Sequence, residues 1–261
     1  MPDLYLRLHD DDAADYSEGR EQPAPLALDA TLALLREAEF TASKLIPWGS
    51  NYTFAVGLES ADGMEQLAIY KPEAGERLLY DFPQGTLYLR EHASYLLSSR
   101  LGWDIVPPTV IRNGPHGIGS VQLYIEPKAE RGDDHEFWEQ RLCAIERLVL
   151  FDHVANNADR KLTHCLLDRD DRVWGIDHGL TFNAVPKLRT VLWQFTDEPI
   201  TSELHADLCQ LQAEEREVRD ELREHLSRRE LDALFKRARR LAEHGAYPRL
   251  DPYNNVPYGW W

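Results

Sequence analysis

In the first half of the chain, short apolar runs alternate with small polar turns. Residues 40–47, 53–58 and 66–70 are three such runs, joined by Trp48-Gly49-Ser50-Asn51-Tyr52 and by Ala61-Asp62-Gly63. The third ends in Lys71-Pro72. Runs of this length between turn residues predict strands. Two more follow, at 110–112 and 120–125, around a turn at 113–119. A helix precedes the strands: Asp29 is placed to cap it, and Leu32, Leu34 and Leu35 carry it to about Glu39. A second helix is predicted over 85–101, where Leu89, Ala93, Leu96 and Leu97 share one face.

The second half changes period. Residues 137–154 read as a long amphipathic helix with Leu142, Ile145, Leu148, Val149 and Phe151 inward. Residues 148–182 then run from an apolar stretch into a polar loop, Asn156 to Lys161. A short strand (165–167), a charged turn (168–172) and a second strand (173–176) follow, and the second strand delivers Asp177-His178-Gly179. Residues 183–197 are irregular, with a buried Trp193 expected. Leucines at helical spacing over 200–245 predict two or three helices, broken near Ser227, that pack on the same lobe. The aromatic tail, 247–261, is expected to lie along the surface. The organisation predicted is a loose acidic leader (1–25, with one short strand at 4–8), an N-terminal lobe (26–127) and a C-terminal lobe (128–261), with a linker at 128–134. The fold class is α+β: an antiparallel-sheet N-lobe and a mostly helical C-lobe.

Charge narrows the class of partners. Asp and Glu number 45 against 29 Lys and Arg, a net −16. Such a surface repels nucleic acid and anionic headgroups, so nucleic-acid binding is not expected. No apolar stretch reaches membrane-spanning length, and stable membrane insertion is not expected. The N-terminus lacks the layout of a signal peptide, and the three cysteines are unclustered. These features predict a cytoplasmic protein.

The candidate chemistry centres on Asp159 and Asp177, one acid at each break of the 148–182 segment. A carboxylate at the end of a buried strand is costly unless a cation uses it. Gly179 is expected to let the backbone turn after Asp177. Two acids so placed suit a phosphotransferase that sets its base beside its metal ligand. Lys71, ending a strand after a small-residue turn at Ser50, suits contact with phosphates, and Glu91 in the following helix suits pairing with it. The bland alternatives are an ordinary hairpin with a surface Lys, surface-turn aspartates and a solvated Glu91. His153, His164 and His178 cluster with the two acids and raise a zinc site as a rival, although short zinc-binding spacings such as HExxH are missing.

Several segments, in order, resemble the phosphatidylinositol 3-/4-kinase-like family, and most closely the catalytic core of type II phosphatidylinositol 4-kinases and their bacterial relatives. They are IYKPE at 69–73, REHASYLLSSRLG at 90–102 with IVPPTVI at 105–111, GSVQLYIE at 119–126, NADRKLTH at 157–164 and GIDHGLTF at 175–182. The resemblance does not cover the leader or the region beyond about residue 197. It implies a bilobal protein-kinase-like fold that binds ATP and Mg2+. It places Lys71 on the ATP phosphates with Glu91 orienting it, Ser50 in the nucleotide-binding turn, and the backbone of Tyr124 and Ile125 on the adenine edge. It makes Asp159 the base or substrate-orienting carboxylate, Arg160 its support and Asp177 the metal ligand. His164 stands where the family has Asn as a second magnesium ligand, so it joins Asp177 as a metal candidate. His178 is a second departure, and the cysteine-rich palmitoylation segment of the type II enzymes is absent.

The function expected is an ATP- and magnesium-dependent phosphotransferase acting on a hydroxyl group of an unknown substrate, a protein or small metabolite rather than a membrane lipid. The alternatives are a pseudokinase or nucleotide-binding scaffold without turnover, and a kinase-like enzyme that transfers AMP.

Overall fold

Five antiparallel strands make the sheet of the first unit: β1 (Glu39–Ile46), β2 (Thr53–Glu59), β3 (Glu65–Pro72), β4 (Thr109–Gly114) and β5 (Gly117–Leu123). Their order across the sheet is β1-β2-β3-β5-β4. They belong to a computed structural model that describes residues 27–47, 51–128 and 140–258. The chain divides into two compact units, Met1–Tyr88 with Pro107–Ala129 and Leu89–Val106 with Glu130–Trp261. Ser50, the leader with its predicted strand, and the start of the helix predicted from Phe137 lie outside the described residues.

Helix α1 (Leu28–Glu37) covers one face of the sheet. Leu34 and Leu35 meet Val56, Leu58, Ala68, Tyr70, Val110 and Val121 in one apolar cluster. Asp29 does not cap this helix. It lies inside the first turn, Ala27 holds the cap position, and no side chain caps it there. The other end is closed from the sheet: Arg112 Nη1 donates to Leu35 O at 3.1 Å and Ala38 O at 2.8 Å. A cation suits the negative end of the helix dipole.

Side chains alternate faces along a strand. Ala68 and Tyr70 face α1, so Lys71 projects from the opposite face. Its register partner is Ser120 on β5.

The second unit is mostly helical. Helix α2 (Leu87–Arg100) enters it at residue 89, followed by α3 (Leu142–Ala155), the hairpin β6 (Cys165–Leu167) and β7 (Val173–Gly175), and α4 (Ser202–Ala213), α5 (Glu215–Leu222) and α6 (Arg228–His244). The break predicted near Ser227 is the N-cap of α6. There Ser227 and Glu230 form a reciprocal capping box. Leu231, Leu234, Phe235, Ala238 and Leu241 of α6 are buried.

Some expectations need correction. Leu142 is exposed at the start of α3, because the inward face begins only at Ile145. Trp193 is half-buried, with its indole N–H on Thr190 O, and Leu192 takes the buried position instead. In α2 the buried side includes Arg90, Glu91, Ser94 and Ser98 beside Ala93 and Leu97. Glu91 is therefore not a solvated surface residue. The tail is anchored by its contacts: Tyr247 is buried, and Asn255 donates to Leu188 O and accepts from Thr190 N.

Candidate active site

The site is built where α3 ends. Asn156 adopts the left-handed conformation, φ +54°, and stops the helix. Its side chain then ties the chain down, donating to Asn183 O and Val185 O and accepting from Lys187 N. The next residues form the loop that carries Asp159 and Arg160.

Arg160 organises this loop. Its side chain is fully buried, and all five of its N–H donors have acceptors. Nε and Nη2 fork onto Asp152 at 2.8 and 2.9 Å. Nη1 donates to His164 O and Ile176 O, each at 3.1 Å. The remaining donor of Nη2 points to His178 Nε2 at 2.8 Å. A guanidinium cannot accept, so His178 Nε2 carries a lone pair and the ring proton sits on Nδ1. Burial alone opposes the Arg160 charge, but the Asp152 carboxylate outweighs it and keeps the group protonated. Gly175 makes room for this arrangement, since a Cβ there would lie 2.7 Å from Leu148 Cδ2 and 3.4 Å from Arg160 Nη2.

Asp159 and Asp177 differ in exposure, and in the opposite sense to that expected. Asp159 is the more enclosed, with 22% of its side chain exposed against 51% for Asp177. Burial pushes the Asp159 carboxyl above the usual carboxylate range, and Lys161 Nζ, 2.9 Å from Oδ2, works against that shift. The buried-carboxylate cost is therefore a property of Asp159 more than of Asp177. The turn after β7 is made by Asp177 itself, at φ +60°, and Gly179 is not among the left-handed glycines.

His164 bridges the two acids. Its Nδ1 lies 3.0 Å from Asp159 O, and its Nε2 lies 3.3 Å from Asp177 Oδ2. A carbonyl only accepts, so the Nδ1 proton is fixed and the neutral ring offers an Nε2 lone pair towards Asp177. Burial lowers the His164 pKa and favours that neutral form, with the Asp177 carboxylate opposing it. Among the described residues, no three His, Cys, Asp or Glu side chains gather as a metal cluster. The zinc grouping of His153, His164 and His178 is thus not formed: His153 lies against Tyr247 and His178 faces Arg160. Asp177 and His164 supply two converging donors. That is the number a divalent ion uses when phosphates and water fill its other positions.

Helix α2 holds the loop after β7 from one side. Glu91 Oε2 accepts from His178 N at 3.0 Å, and Arg90 donates to Thr181 O at 2.7 Å while ion-pairing with Glu230 of α6. In the first unit, Tyr124 N donates to Leu67 O, so this N–H is engaged in the sheet. A small pocket lined by Glu76, Arg77, Phe82 and Leu87 contains none of the candidate residues.

Sequence reasoning missed Asp152 as the partner of Arg160. It also missed the gripping roles of Arg90 and Glu91 within this unit. A charged residue inside the apolar run LVLFDHVA was the available signal, since a buried acid requires a partner.

Protein Rv2133c of Mycobacterium tuberculosis is 33% identical to the chain over 262 residues, covering 87% of the chain and 94% of that protein. The chain belongs to the Rv2133c family. No family model matches it. Among solved structures, the Rv2133c-family chain resembles the Golgi casein kinase with Mn/ADP bound, at TM-score 0.52 and 14% identity over 83% of the chain and 75% of the other. It also resembles hydra Fam20 with sugar, at TM-score 0.57 and 15% identity over 83% and 87% of the two chains. The α+β, protein-kinase-like fold expected from the sequence is the fold of this family member. No helix among its described residues is long and apolar enough to cross a membrane.

Proposed function

We propose that the chain is a metal-dependent phosphotransferase that uses ATP. The observation that carries this reading is the His164 bridge, which sets an Asp177 carboxylate and an imidazole lone pair beside the loop that presents Asp159. Asp177 and His164 would hold the divalent ion, which when bound neutralises phosphate charge. Asp159 is the base that accepts the substrate hydroxyl proton, and its enclosure makes it a stronger base than an exposed aspartate. Lys161, on the same carboxylate, places a positive charge beside it. Arg160 keeps the loop in place through Asp152. Lys71, Ser50, Glu91 and the backbone of Tyr124 and Ile125 are assigned to ATP on the motif resemblance. Within that assignment the Tyr124 N–H is already engaged, which leaves Ile125 as the adenine donor.

The Golgi casein kinase with Mn/ADP bound supports a nucleotide and a divalent ion for this fold. The finer likeness to type II phosphatidylinositol 4-kinases rests on the five sequence segments. Net acidity favours a protein or small hydroxylated metabolite over a membrane lipid as substrate. The test is incubation with labelled ATP and Mg2+ or Mn2+, followed by mass spectrometry of the protein and of candidate substrates. Phosphate incorporation that disappears in Asp159→Asn is expected. Transfer of AMP, or binding of ATP with no transfer to any substrate or to water, overturns the proposal.

A further inference from the structure

The exposed face of α6 is basic in a chain that is acidic overall. Arg228, Arg229, Lys236, Arg239 and Arg240 are exposed there, against Asp232 and Glu243. At about 100° per residue, Arg229, Lys236 and Arg240 fall within about 40° of one another. They form a stripe about 16 Å long on the side opposite the buried Leu234, Ala238 and Leu241. Asp232, one turn before Lys236, is taken by Arg219 Nη1 at 2.8 Å. Glu215 pairs with Arg219 and Arg239. Among the described residues, Arg228, Arg229, Lys236 and Arg240 make no ion pair. Acids outnumber bases 45 to 29, so a shortage of carboxylates does not explain four unpaired cations on one helix. Arg228 and Arg229 also occupy the first turn, where the helix dipole disfavours cations.

We propose that this stripe is a docking surface for a short acidic segment of another protein, bound in extended form. Two residues of extended chain span about 6.6 Å. The rise from Lys236 to Arg240 is about 6 Å, so carboxylates on alternate residues meet successive cations. Nucleic acid and membranes fit the face less well. Single strands need aromatic side chains on which bases stack, and Phe235 of α6 is buried. A membrane-surface helix turns its apolar face to lipid, and here Leu231, Leu234, Phe235, Ala238 and Leu241 face the interior of the unit. A long polyanion or a charged bilayer would also reach past the stripe over the rest of a chain with net charge −16, whereas a short acidic segment ends within it. The inference does not rest on the phosphotransferase reading.

The experiment uses the full chain and a fluorescein-labelled peptide of alternating Glu and Ala, with binding read by fluorescence anisotropy. Counter-probes are the same peptide with Gln for Glu, a short oligo-dT strand and phosphatidylserine vesicles. The variant Arg229→Gln/Lys236→Gln/Arg240→Gln removes three exposed cations and leaves the Ser227–Glu230 capping box in place. Its control, Arg36→Gln/Arg77→Gln/Arg249→Gln, makes the same change in net charge at exposed positions elsewhere. The native chain should bind the Glu peptide and not the Gln peptide, with affinity that falls as salt rises. The α6 variant should bind about tenfold or more weaker, the scale of three exposed ion pairs, and the control should bind as the native chain does. Melting curves establish that both variants fold, and Lys236→Gln, at the centre of the stripe, gives the same reading on a smaller scale. No binding of the Glu peptide at low salt, or an equal loss in the two triple variants, overturns the proposal. Tighter binding of oligo-dT or of vesicles than of the peptide also overturns it, and assigns the stripe to nucleic acid or to a membrane.

Discussion

Arg160 lies in a two-bond fork on Asp152, Nε 2.8 Å from Oδ2 and Nη2 2.9 Å from Oδ1, with both side chains out of water. The pair joins the last turn of α3 to the loop that carries Asp159. Asn157 Nδ2 also donates to Asp152 Oδ1, so one buried carboxylate receives three hydrogen bonds from the loop it anchors.

Removing one partner from such a pair leaves a buried charge uncompensated. Arg160→Met should therefore destabilise the protein by about 3–5 kcal/mol. The double variant Arg160→Met/Asp152→Leu should recover part of that loss, because it leaves no orphan charge. Urea unfolding of the two variants measures both effects. A single variant as stable as the native chain would mean that the fork does not hold the loop.

On the proposed roles, Asp159 and Asp177 should separate by assay. Asp177→Asn is expected to abolish the metal-dependent stabilisation that ATP gives. Asp159→Asn should retain that stabilisation and lose about a hundredfold or more in turnover, the scale of an acid–base group. Thermal shift across a metal titration, alongside a transfer assay, reads the two quantities. The reverse pattern would exchange the assigned roles.

Lys71→Met should weaken ATP binding and leave the fold intact. Lys71 projects from the sheet face opposite the α1 cluster, so its loss does not open that core. The expected drop is roughly tenfold or more, since a hydrogen bond to a charged group contributes about 1.5–3 kcal/mol. Calorimetry with a parallel melting curve tests this. Unchanged affinity in a folded variant removes Lys71 from the site.

Acid should weaken the fold through His153. Burial lowers its pKa from 6.5 to about 4, with the neighbouring Asp152 opposing the shift. The folded chain keeps this ring neutral, while the unfolded chain takes up a proton near pH 6.5. The contribution is fully present above pH 6.5, falls as pH drops, and is gone below about 4. At about 1.4 kcal/mol per pH unit it amounts to about 3 kcal/mol. Unfolding free energies measured from pH 7.5 to 4 should be flatter in His153→Phe than in the native chain. Identical slopes would remove His153 as the source.

The elements of both units were legible because burial leaves a periodic trace. The strand runs before Lys71, the α6 boundary at Ser227 and the 148–182 hairpin could all be read from spacing and turn residues. The segments 157–164 and 175–182 that carry Asp159, His164 and Asp177 were legible as motifs. The pairings that hold them were not. Arg90 meets Glu230 across 140 residues of chain, and Glu91 meets the His178 N–H across 87. No local periodicity encodes such partners. Periodicity also misassigned the buried side of α2, because a helix that buries Arg90, Glu91, Ser94 and Ser98 has no simple apolar stripe.

Asp177 sits at φ +60°, where a side chain with a Cβ is held at a cost of about 1 kcal/mol that glycine avoids. Under the proposed metal role, position 177 answers to two opposed selections. Variants screened only for a higher melting temperature should drift towards glycine there, and variants screened for metal retention should not. A stabilised descendant that keeps aspartate at this position would carry in its own sequence the record of which screen it passed through.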